Sequence, residues 1–350
     1  MTLDRLITDL AAGRHLADEQ AHLAVEQIID ENVPAGLKAD FLCHLALKGE
    51  TVQEIAAFAR ALRDKAIQPP LDPAWKNTHE ILDVCGTGGD RLNTFNISTT
   101  VAIICAAAGI PVAKHGNRAI TSQAGSADVL EALGIKINLP PEEAARSLQE
   151  RNFAFFFAPS YHPAFKHIGP ARKLCADRGQ RTIFNFLGPL LNPARPGAQL
   201  VGVPRPELCE PLAHVLQSLG AHRGMVVTGK VPDADSVRHL DELSTLGQNS
   251  IAEFYQERGF TASTLDPAHF PLQPAALTDL AGGNRDVNAE IVRRILHGDE
   301  RGPKRDAVLL NAAAGLFVAN RAKSLAEGWT LAEGIIDGGA AAKKLRELTN

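Results

Sequence analysis

Residues 83–118, DVCGTGGDRLNTFNISTTVAIICAAAGIPVAKHGNR, predict the fold of the chain around them. The apolar run 81–85 is typical of a buried strand, and it ends in the glycine-rich segment GTGGD, residues 86–90. We expect Ser98 or Thr99 to cap a helix of small residues that follows, because hydroxyl side chains accept hydrogen bonds from the first free N–H groups of a helix. The pattern is therefore a strand, a glycine loop and a helix.

The same pattern begins again at residues 111–113, a second short strand, which leads directly into the polar segment KHGNR, residues 114–118. Consecutive strand–loop–helix units form right-handed crossovers between parallel strands. Both polar segments should then lie at the carboxyl ends of neighbouring strands, which is where α/β sheets bind ligands. This predicts an α/β fold with a binding site at one edge of a parallel sheet.

The glycine segment has the properties of a phosphate-binding loop. Glycine lets the backbone approach an anion closely, and the N-terminus of the following helix adds a positive end. Asn96, Ser98 and Thr99 supply neutral donors, and Lys114 supplies a cation. The glycines alone are equally typical of an ordinary left-handed turn, and it is the strings NIST and KHGNR after them that favour phosphate.

Two common nucleotide-binding motifs are excluded. A dinucleotide-binding GxGxxG would need a third glycine at position 91, which is Arg91. A P-loop would need the string GxxxxGK followed by serine or threonine, which does not occur in the chain. The phosphate site predicted here is therefore of a different type.

The composition is that of an ordinary globular protein, with 45% hydrophobic and 22% charged residues among 350. Its formal net charge of −4 offers no general attraction to nucleic acid or to anionic membranes. A phosphate site must therefore be a local positive pocket. No stretch approaches the ~20 apolar residues of a membrane span, so we expect no contact with membrane.

The five cysteines are widely spaced and form no CxxC pair. This argues against a zinc site and a disulfide framework, and it is consistent with a reducing cytoplasm. The N-terminal segment 1–16 is amphipathic, contains acidic residues and lacks the apolar core of a signal peptide. We therefore expect a cytoplasmic protein.

The strings GTGGD, TFNIST, KHGNR and GSAD resemble the anthranilate phosphoribosyltransferases, whose fold is shared with pyrimidine nucleoside phosphorylases. The resemblance continues at RTIFNFLGPL, residues 181–190, and covers nearly the whole chain. It implies an α/β protein with a small all-helical domain and a larger α/β domain that has a central, mostly parallel sheet.

The resemblance also implies a division of the chain. Residues 1–72 and about 163–190 would form the helical domain, which carries the dimer interface and the acceptor side. Residues 76–160 and about 195–350 would form the α/β domain, which binds PRPP and magnesium. The sequence itself predicts helices alone over residues 1–66, followed by a proline-rich linker at 68–73.

Local patterns predict several further elements. Thr51 and Glu54 form a capping box that should open a helix. Residues 135–139 predict a short strand, and residues 331–348 predict one continuous C-terminal helix. Other strands are expected over 153–158, 200–203, 225–228 and 251–254, and other helices over 18–29, 35–48, 141–152, 208–219, 288–296 and 306–319.

By resemblance, the protein would transfer the 5-phosphoribosyl group of PRPP to the amine of anthranilate. The contacts to PRPP implied by the family motifs fall on the glycine loop, the segment after it and the second polar segment. They are Gly86, Thr87, Gly88, Gly89, Asp90, Thr94, Asn96, Ser98, Thr99, Lys114, Asn117 and Thr121.

A magnesium site is implied at Asp241 and Glu242, in the string HLDELST, with Ser98 completing the coordination as in relatives. Magnesium prefers hard oxygen ligands, keeps several waters and bridges substrate phosphates. An adjacent acidic pair is by itself typical of solvated surface. The residues before the pair, 237–239, also lack the glycine of the family motif.

The anthranilate site is implied at Gly86, His115, Asn117, Ala158, Pro159, His162, Phe165 and Arg172. Arg172 would bind the carboxylate of anthranilate through its planar, two-pronged guanidinium. The segment after it is longer than is common in the family, and we expect Arg178 and Arg181 to cap or bridge helices instead. No general base is expected, because an aryl amine is neutral at pH 7.

Two other functions stay open. A pyrimidine nucleoside phosphorylase has a related fold, but KHGNR with Asn117 favours PRPP and anthranilate. A non-catalytic relative that binds nucleic acid would be expected to lack the acidic pair or to carry a basic stripe. We therefore expect small-molecule substrates, no nucleic acid and, from the family, a homodimer.

Overall fold

The computed structural model describes residues 2–119, 123–232, 237–256 and 259–350. The chain begins with four helices that pack on one another: α1 Leu3–Ala11, α2 Asp18–Ile29, α3 Ala35–Lys48 and α4 Val52–Asp64. The capping box is confirmed, because the Glu54 amide donates to Thr51 Oγ1 at 3.1 Å and the Thr51 amide donates to Glu54 Oε2 at 2.9 Å. A short helix, α5 Pro73–Thr78, then leads into the sheet.

A single sheet of eight strands follows, in the order β3-β2-β1-β4-β5-β7-β8, with β6 paired to β5. The first five strands are parallel to one another, whereas β6 and β7 run antiparallel to β5 and β8 runs antiparallel to β7. This confirms the mostly parallel sheet. The strands are β1 Leu82–Gly86, β2 Val112–Gly116, β3 Phe153–Phe157, β4 Ala198–Gly202, β5 Arg223–Pro232, β6 Val237–Leu240, β7 Asn249–Tyr255 and β8 Gly259–Leu265.

Eleven α-helices, counted over the described part of the chain, follow α4 and cover the sheet or connect its strands. Besides α5 they are α6 Ile97–Ala107, α7 Ser126–Ala132, α8 Pro141–Arg151, α9 Ala158–Tyr161, α10 Gly169–Asp177, α11 Cys209–Ser218, α12 Arg285–His297, α13 Pro303–Val318, α14 Leu325–Asp337 and α15 Ala340–Thr349. In the described residues no helix has the length and apolar content that a membrane span requires.

The two faces of the sheet belong to different cores, because successive strand residues point to opposite sides. Leu200 of β4 packs in a core with α6 and the C-terminal helices. The next residue, Val201, packs in a core with the N-terminal helices, α10 and α11. Helix α10 packs directly on α3, so this later segment returns to the N-terminal helices.

Several local predictions were wrong. Residues 135–139 form no strand; Ile135 and Ile137 are instead buried side chains of the connection between α7 and α8. The C-terminal helix is two helices, because Gly339 adopts φ +77 and ends the continuous helical path. Strands β6 and β8 were missed, and β8 has an exposed, polar pattern that gives no clear signal of burial.

Two boundaries near the glycine loop also differ from the prediction. Strand β2 continues through Lys114 and His115 to Gly116, so these side chains belong to a strand and not to a loop. Helix α6 begins at Ile97 with Asn96 at its N-cap, which places Ser98 inside the first turn. Both differences matter for the site, because strand and helix positions hold side chains more firmly than a loop does.

Candidate active site at the carboxyl edge of the sheet

The glycine loop leaves the carboxyl end of β1 and is fastened to the neighbouring strand β4. The Thr87 amide donates to the carbonyl of Gly202 at 2.9 Å. Gly88 and Gly89 follow with φ of +74 and +89, a region that other residues adopt only at a cost. The loop can therefore turn sharply and leave backbone N–H groups open to a ligand.

Glycine is also needed where two strands end, because the segment that carries Asp241 passes very close to them. A Cβ added to Gly86 would lie 2.2 Å from Oδ2 of Asp241. A Cβ added to Gly202 would lie 1.6 Å from the backbone oxygen of the same residue. The ends of β1 and β4 thus form a seat for Asp241. Asp241 fits there only because Gly86 and Gly202 lack side chains.

The N-terminus of α6 opens onto the same edge, and its N-cap residue Asn96 does not cap it through its own side chain. Asn96, the N-cap residue, uses its side chain elsewhere: Nδ2 donates to the carbonyl of Ala124 at 3.3 Å, and Oδ1 accepts from Nδ2 of Asn288 at 2.9 Å. The hydroxyl of Thr99 is buried and has no hydrogen-bond partner in the described residues. A helix N-terminus with a free hydroxyl in its first turn is suited to an anion.

Lys114 lies beneath this helix start and is only 1% exposed. Its ammonium donates to the carbonyl of Val84 at 2.7 Å and to Oγ of Ser98 at 3.4 Å. Its charge also opposes the rise in the pKa of Asp83 and of Glu242 that burial causes. The cation is thus held in place by strand β1 and is directed at the first turn of α6.

Asp241 and Glu242 follow directly after strand β6. Each accepts a hydrogen bond from one of two segments, the glycine loop and the first turn of α6, which together we call the cradle. Oδ2 of Asp241 accepts from the Gly88 amide at 2.6 Å, and Oε1 of Glu242 accepts from the Ser98 amide at 3.2 Å. Burial and the negative charges of Asp90 and Glu242 raise the pKa of Asp241 well above its usual range. Burial likewise raises the pKa of Glu242 to about 7, against the opposing effect of Lys114.

These residues fit a magnesium ion. The negative charges of Asp90 and Glu242 raise the pKa of Asp241, an effect that a bound cation would oppose. Within the described residues no group of three histidine, cysteine, aspartate or glutamate side chains could hold a metal ion. The ligands available here are the carboxylate oxygens of an acidic pair, which magnesium takes together with water and phosphate oxygens.

A row of rings leads away from His115 on the opposite face of β2. The ring of His115 meets that of His162 at 5.2 Å between centroids, and His162 meets Phe165 at 5.0 Å. Phe165 in turn meets Phe184 at 5.8 Å, and the guanidinium of Arg172 lies 5.4 Å from the centre of the Phe184 ring. The row joins β2, the segment after β3, helix α10 and the RTIFNFLGPL hinge.

The two histidines of this row are neutral. Burial, together with the neighbouring His162, lowers the pKa of His115 to about 3, and burial lowers the pKa of His162 to about 4. Nε2 of each ring is buried and has no hydrogen-bond partner among the described residues. Two imidazole nitrogens without a partner, beside aromatic rings, are groups that could bind a planar ligand carrying polar groups.

Arg172 and Arg178 have different surroundings on α10. Arg178 donates to Oδ1 of Asp40 on α3 at 2.7 Å and so bridges two helices, as predicted. Arg172 has no ion pair with any carboxylate that the structure describes, and its guanidinium faces Phe184. Arg172 is therefore the arginine that is free to bind an anionic group of a ligand.

Other residues predicted for the site are less clearly placed. Asn117 is exposed, and its Oδ1 accepts from the Arg118 amide at 2.7 Å. Thr94 forms an isolated bridge with Ala281, and Ala158 and Pro159 open the short helix α9 directly after β3. Thr121 lies outside the described residues.

Three residues that support the site were missed. Asn288 holds Asn96, Phe184 stands between Phe165 and Arg172, and Asn192 donates to Oδ2 of Asp83 at 2.8 Å. Burial raises the pKa of Asp83 to about 6, while Lys114 and Asn192 oppose that rise. Only an unusual polar residue in an otherwise apolar strand, as at Asp83, could have signalled this in the sequence.

The chain thus joins a bundle of helices to an α/β sheet that carries a glycine loop and an acidic pair at its carboxyl edge. Residues 4–66 match the helical bundle domain of the glycosyl transferase family, and residues 78–342 match its a/b domain. The two matches together cover most of the chain, in agreement with the fold described above.

Individual relatives narrow this class. The chain is 46% identical over 336 residues to an anthranilate phosphoribosyltransferase from Petrotoga mobilis, covering 96% of this chain and 93% of that protein. It resembles the crystal structure of anthranilate phosphoribosyltransferase from Thermus thermophilus with a TM-score of 0.87, at 40% identity and 98% coverage of both chains. The chain therefore belongs to the anthranilate phosphoribosyltransferase family, which confirms the resemblance of its motifs.

A more distant relative shows what such a fold can bind. The anthranilate phosphoribosyltransferase from Saccharomyces cerevisiae, in complex with PRPP and Mg, has a TM-score of 0.84 and 25% identity. The match covers 99% of this chain and 96% of the yeast chain. The same yeast enzyme has also been solved in complex with 4-fluoroanthranilate, with a TM-score of 0.83 to this chain.

Proposed function

We propose that this protein transfers the 5-phosphoribosyl group of PRPP to the amine of anthranilate, giving N-(5-phosphoribosyl)anthranilate and pyrophosphate. One observation carries the proposal: two adjacent residues of β2 belong to two different half-sites. Lys114 contacts the start of α6 and strand β1, which leads into the glycine loop. His115, in contrast, contacts the ring of His162 and so belongs to the row of rings. Two ligands bound in these half-sites would meet at the end of β2.

The donor half-site would hold the pyrophosphate of PRPP. Its donors are the backbone amides of the glycine loop, the first turn of α6 with the free hydroxyl of Thr99, and the ammonium of Lys114. Preorganised donors of this kind stabilise charge that develops on a leaving group, and they cost no reorganisation during the reaction. We assign Gly86 to Asp90, Asn96, Ser98, Thr99 and Lys114 to this role, with Thr94, Asn117 and Thr121 as further candidates.

Asp241, Glu242 and the hydroxyl of Ser98 would hold magnesium beside the pyrophosphate. The support is the repulsion that Asp90 and Glu242 exert on Asp241, and the yeast relative in complex with PRPP and Mg. Magnesium, when bound, would offset the negative charge of the departing pyrophosphate. The protein's own part is to fix both carboxylates through hydrogen bonds from the Gly88 and Ser98 amides, which favour their ionised forms against the opposing effect of burial.

The acceptor half-site would hold anthranilate between the ring row and Arg172. The guanidinium would bind the carboxylate, and Nε2 of His115 and His162 would orient the polar groups of the ring. Both histidines are neutral at pH 7, so they position the ligand and are not proton donors. Since an aryl amine is already neutral, bringing its nitrogen to C1′ could supply much of the rate through a dissociative displacement.

The test is direct. Anthranilate is fluorescent, so its fluorescence should decay in the presence of PRPP and magnesium and should persist when either is omitted. Thymidine phosphorolysis would indicate a nucleoside phosphorylase instead. Binding of oligonucleotide without turnover would indicate the non-catalytic relative.

The division into two domains, the homodimer and the cytoplasmic location are also proposals. The packing of α10 on α3 supports a helical domain built from residues 1–72 and about 163–190. The homodimer is proposed from the resemblance of the sequence motifs to the family. All five cysteines are free, in keeping with a reducing compartment. Light scattering of the full chain tests the dimer.

A further inference from the structure

A second cavity lies at the edge of the sheet opposite to the active site. Its volume is about 260 Å³. It is lined by Ile81, Gly197 and His222, the residues that immediately precede β1, β4 and β5, and by side chains of α4 and α5. The cavity and the cradle are thus at the two ends of the same strands, separated by a five-residue strand of roughly 16 Å.

Three cationic side chains line this cavity. Arg63 is only 5% exposed, and its Nε and Nη1 donate to the backbone oxygens of Leu190 and Leu219. Lys76 donates to the carbonyl of Ala194 at 3.2 Å. Within the described residues neither Arg63 nor Lys76 has a carboxylate at ion-pair distance, although Asp83 and Asp64 act on Arg63 electrostatically from farther away.

The third cation, Arg195, stands at the exposed rim and pairs with Asp64 at 2.7 Å. Its backbone has φ of +50, a left-handed conformation that is uncommon for a residue with a side chain. Among the described residues, Glu80 is the only one with a carboxylate that lines the cavity, and its Oε2 lies 3.6 Å from Nδ1 of His222. Asp64 thus pairs with Arg195, and Glu80 lies beside His222. Within the described residues neither carboxylate forms an ion pair with Arg63 or Lys76.

The cations repel one another. Burial and the charge of Arg195 lower the pKa of Arg63 to about 10. The pKa of Lys76 is lowered mainly by burial and, to a smaller extent, by the positive charges of Arg195 and Arg63. Lys76 remains exposed to solvent, which screens part of this repulsion. Arg63 is enclosed, so its charge is costly unless an anion accompanies it.

We propose that this cavity binds a small phosphate-bearing anion, at a site separate from the catalytic one. A phosphate dianion matches the forked guanidinium of Arg63 and the charge of the three cations better than a single carboxylate would. Ile81, Pro196 and Leu219 add an apolar wall, and the volume leaves room for a small organic part attached to the phosphate.

The location gives such an anion a structural effect. Arg63 lies on the last N-terminal helix, Lys76 on the connection from that helix to β1, and Arg195 on the segment that returns to β4. A bound phosphate would therefore tie together the two segments by which the chain passes between the N-terminal helices and the sheet. Its binding should raise the melting temperature of the full chain.

The test uses the full chain without PRPP or magnesium. Inorganic phosphate and glycerol 3-phosphate are titrated separately by calorimetry, which distinguishes a free phosphate from a phosphate ester. Replacing both Lys76 and Arg195 by alanine should weaken binding at least about tenfold, since each removes a charged donor. Arg60→Ala is the matched control, because Arg60 is on the same helix as Arg63 and pairs with Asp18 on the surface.

Both substituted residues of the double variant are exposed, so its melting temperature without phosphate should stay near that of the wild type. Tungstate, a heavy analogue of phosphate, soaked into crystals of the wild-type chain locates the anion independently by its anomalous scattering. Density between Arg63, Lys76 and Arg195 supports the site. Density only in the glycine loop, equal binding by wild type and double variant, or no binding at tens of millimolar phosphate would overturn it.

Discussion

The carboxylate of Asp241 accepts a hydrogen bond from the backbone amide of Gly88 at 2.6 Å, across 153 residues of sequence. Glu242 makes the equivalent contact to the amide of Ser98. The acidic pair is therefore part of the phosphate cradle and is not a separate surface feature. A metal bound to the pair would lie directly beside an anion bound to the glycine loop.

Removing both acidic groups should remove metal-dependent turnover. Asp241→Asn combined with Glu242→Gln keeps the side-chain shapes while deleting the charges that repel one another, so the fold should be retained. We expect turnover to be nearly abolished at every magnesium concentration, with an unchanged far-ultraviolet circular dichroism spectrum. Wild-type activity of this double variant at limiting magnesium would refute the assignment.

Gly86→Ala tests the seat of Asp241. The added Cβ would lie 2.2 Å from the carboxylate, which must then move away from the Gly88 amide. We expect kcat/KM to fall at least about a hundredfold, as for the loss of a preorganised charge contact. Gly36→Ala is the control, because nothing lies within 4 Å of the added atom and alanine favours a helix by about 0.5–1 kcal/mol. Equal, small effects of both substitutions would contradict the close approach.

Lys114→Ala should weaken the donor site selectively. The ammonium is the buried cation nearest to the first turn of α6, and a charged hydrogen bond is worth roughly 1.5–3 kcal/mol. The KM for PRPP should rise about tenfold or more, and the KM for anthranilate should change less. The reverse pattern in steady-state kinetics would mean that the two half-sites are assigned to the wrong substrates.

Arg172→Ala should weaken the acceptor site selectively. Loss of the guanidinium removes roughly 1.5–3 kcal/mol of binding to the anthranilate carboxylate, or about ten- to a hundredfold in affinity. PRPP binding, measured by calorimetry with magnesium, should hardly change. Arg178→Ala is the matched control on the same helix, since Arg178 is paired with Asp40. Weaker anthranilate binding in Arg178→Ala but not in Arg172→Ala would show that Arg172 does not bind the carboxylate of anthranilate.

The buried histidines should make the stability of the protein depend on pH. A histidine whose pKa is lowered by folding stays neutral in the native state while the unfolded chain takes up a proton below its usual pKa of about 6.5. The contribution of these two histidines to the free energy of unfolding should therefore fall as the pH drops from about 6.5 toward 4, by up to about 1.4 kcal/mol per pH unit for each histidine. Asp83 and Glu242, whose pKa values are raised to about 6 and about 7, contribute in the opposite sense, so the part due to a histidine is the difference between its variant and the wild-type chain.

His162→Gln should flatten this dependence in urea denaturation series at pH 7, 6 and 5. The same substitution at the exposed His269 is the control. A loss of stability as steep in His162→Gln as in the wild-type chain would show that His162 is not the source of the effect.

Much of the fold could be predicted because its signals are local. The capping box of Thr51 and Glu54, the apolar runs of the parallel strands and the glycines after β1 are each written within a few residues. The wrong predictions came from local patterns whose actual structure is determined by packing and by backbone conformation. The apolar residues 135–139 are buried without pairing to a strand, and two glycines divide a helical pattern that otherwise looks continuous.

By itself, the sequence determined which residues could supply the chemistry: glycines for close approach, a lysine and hydroxyls for phosphate, an acidic pair for magnesium and an arginine for a carboxylate. Only the tertiary structure decided which of them meet. Asp241 reaches Gly88, and His115 is linked to Arg172 through rings from three segments. The cationic cavity likewise joins Arg63 to Arg195. These contacts arise because parallel strands bring their ends to common edges, so residues more than a hundred positions apart become neighbours, which no local pattern records.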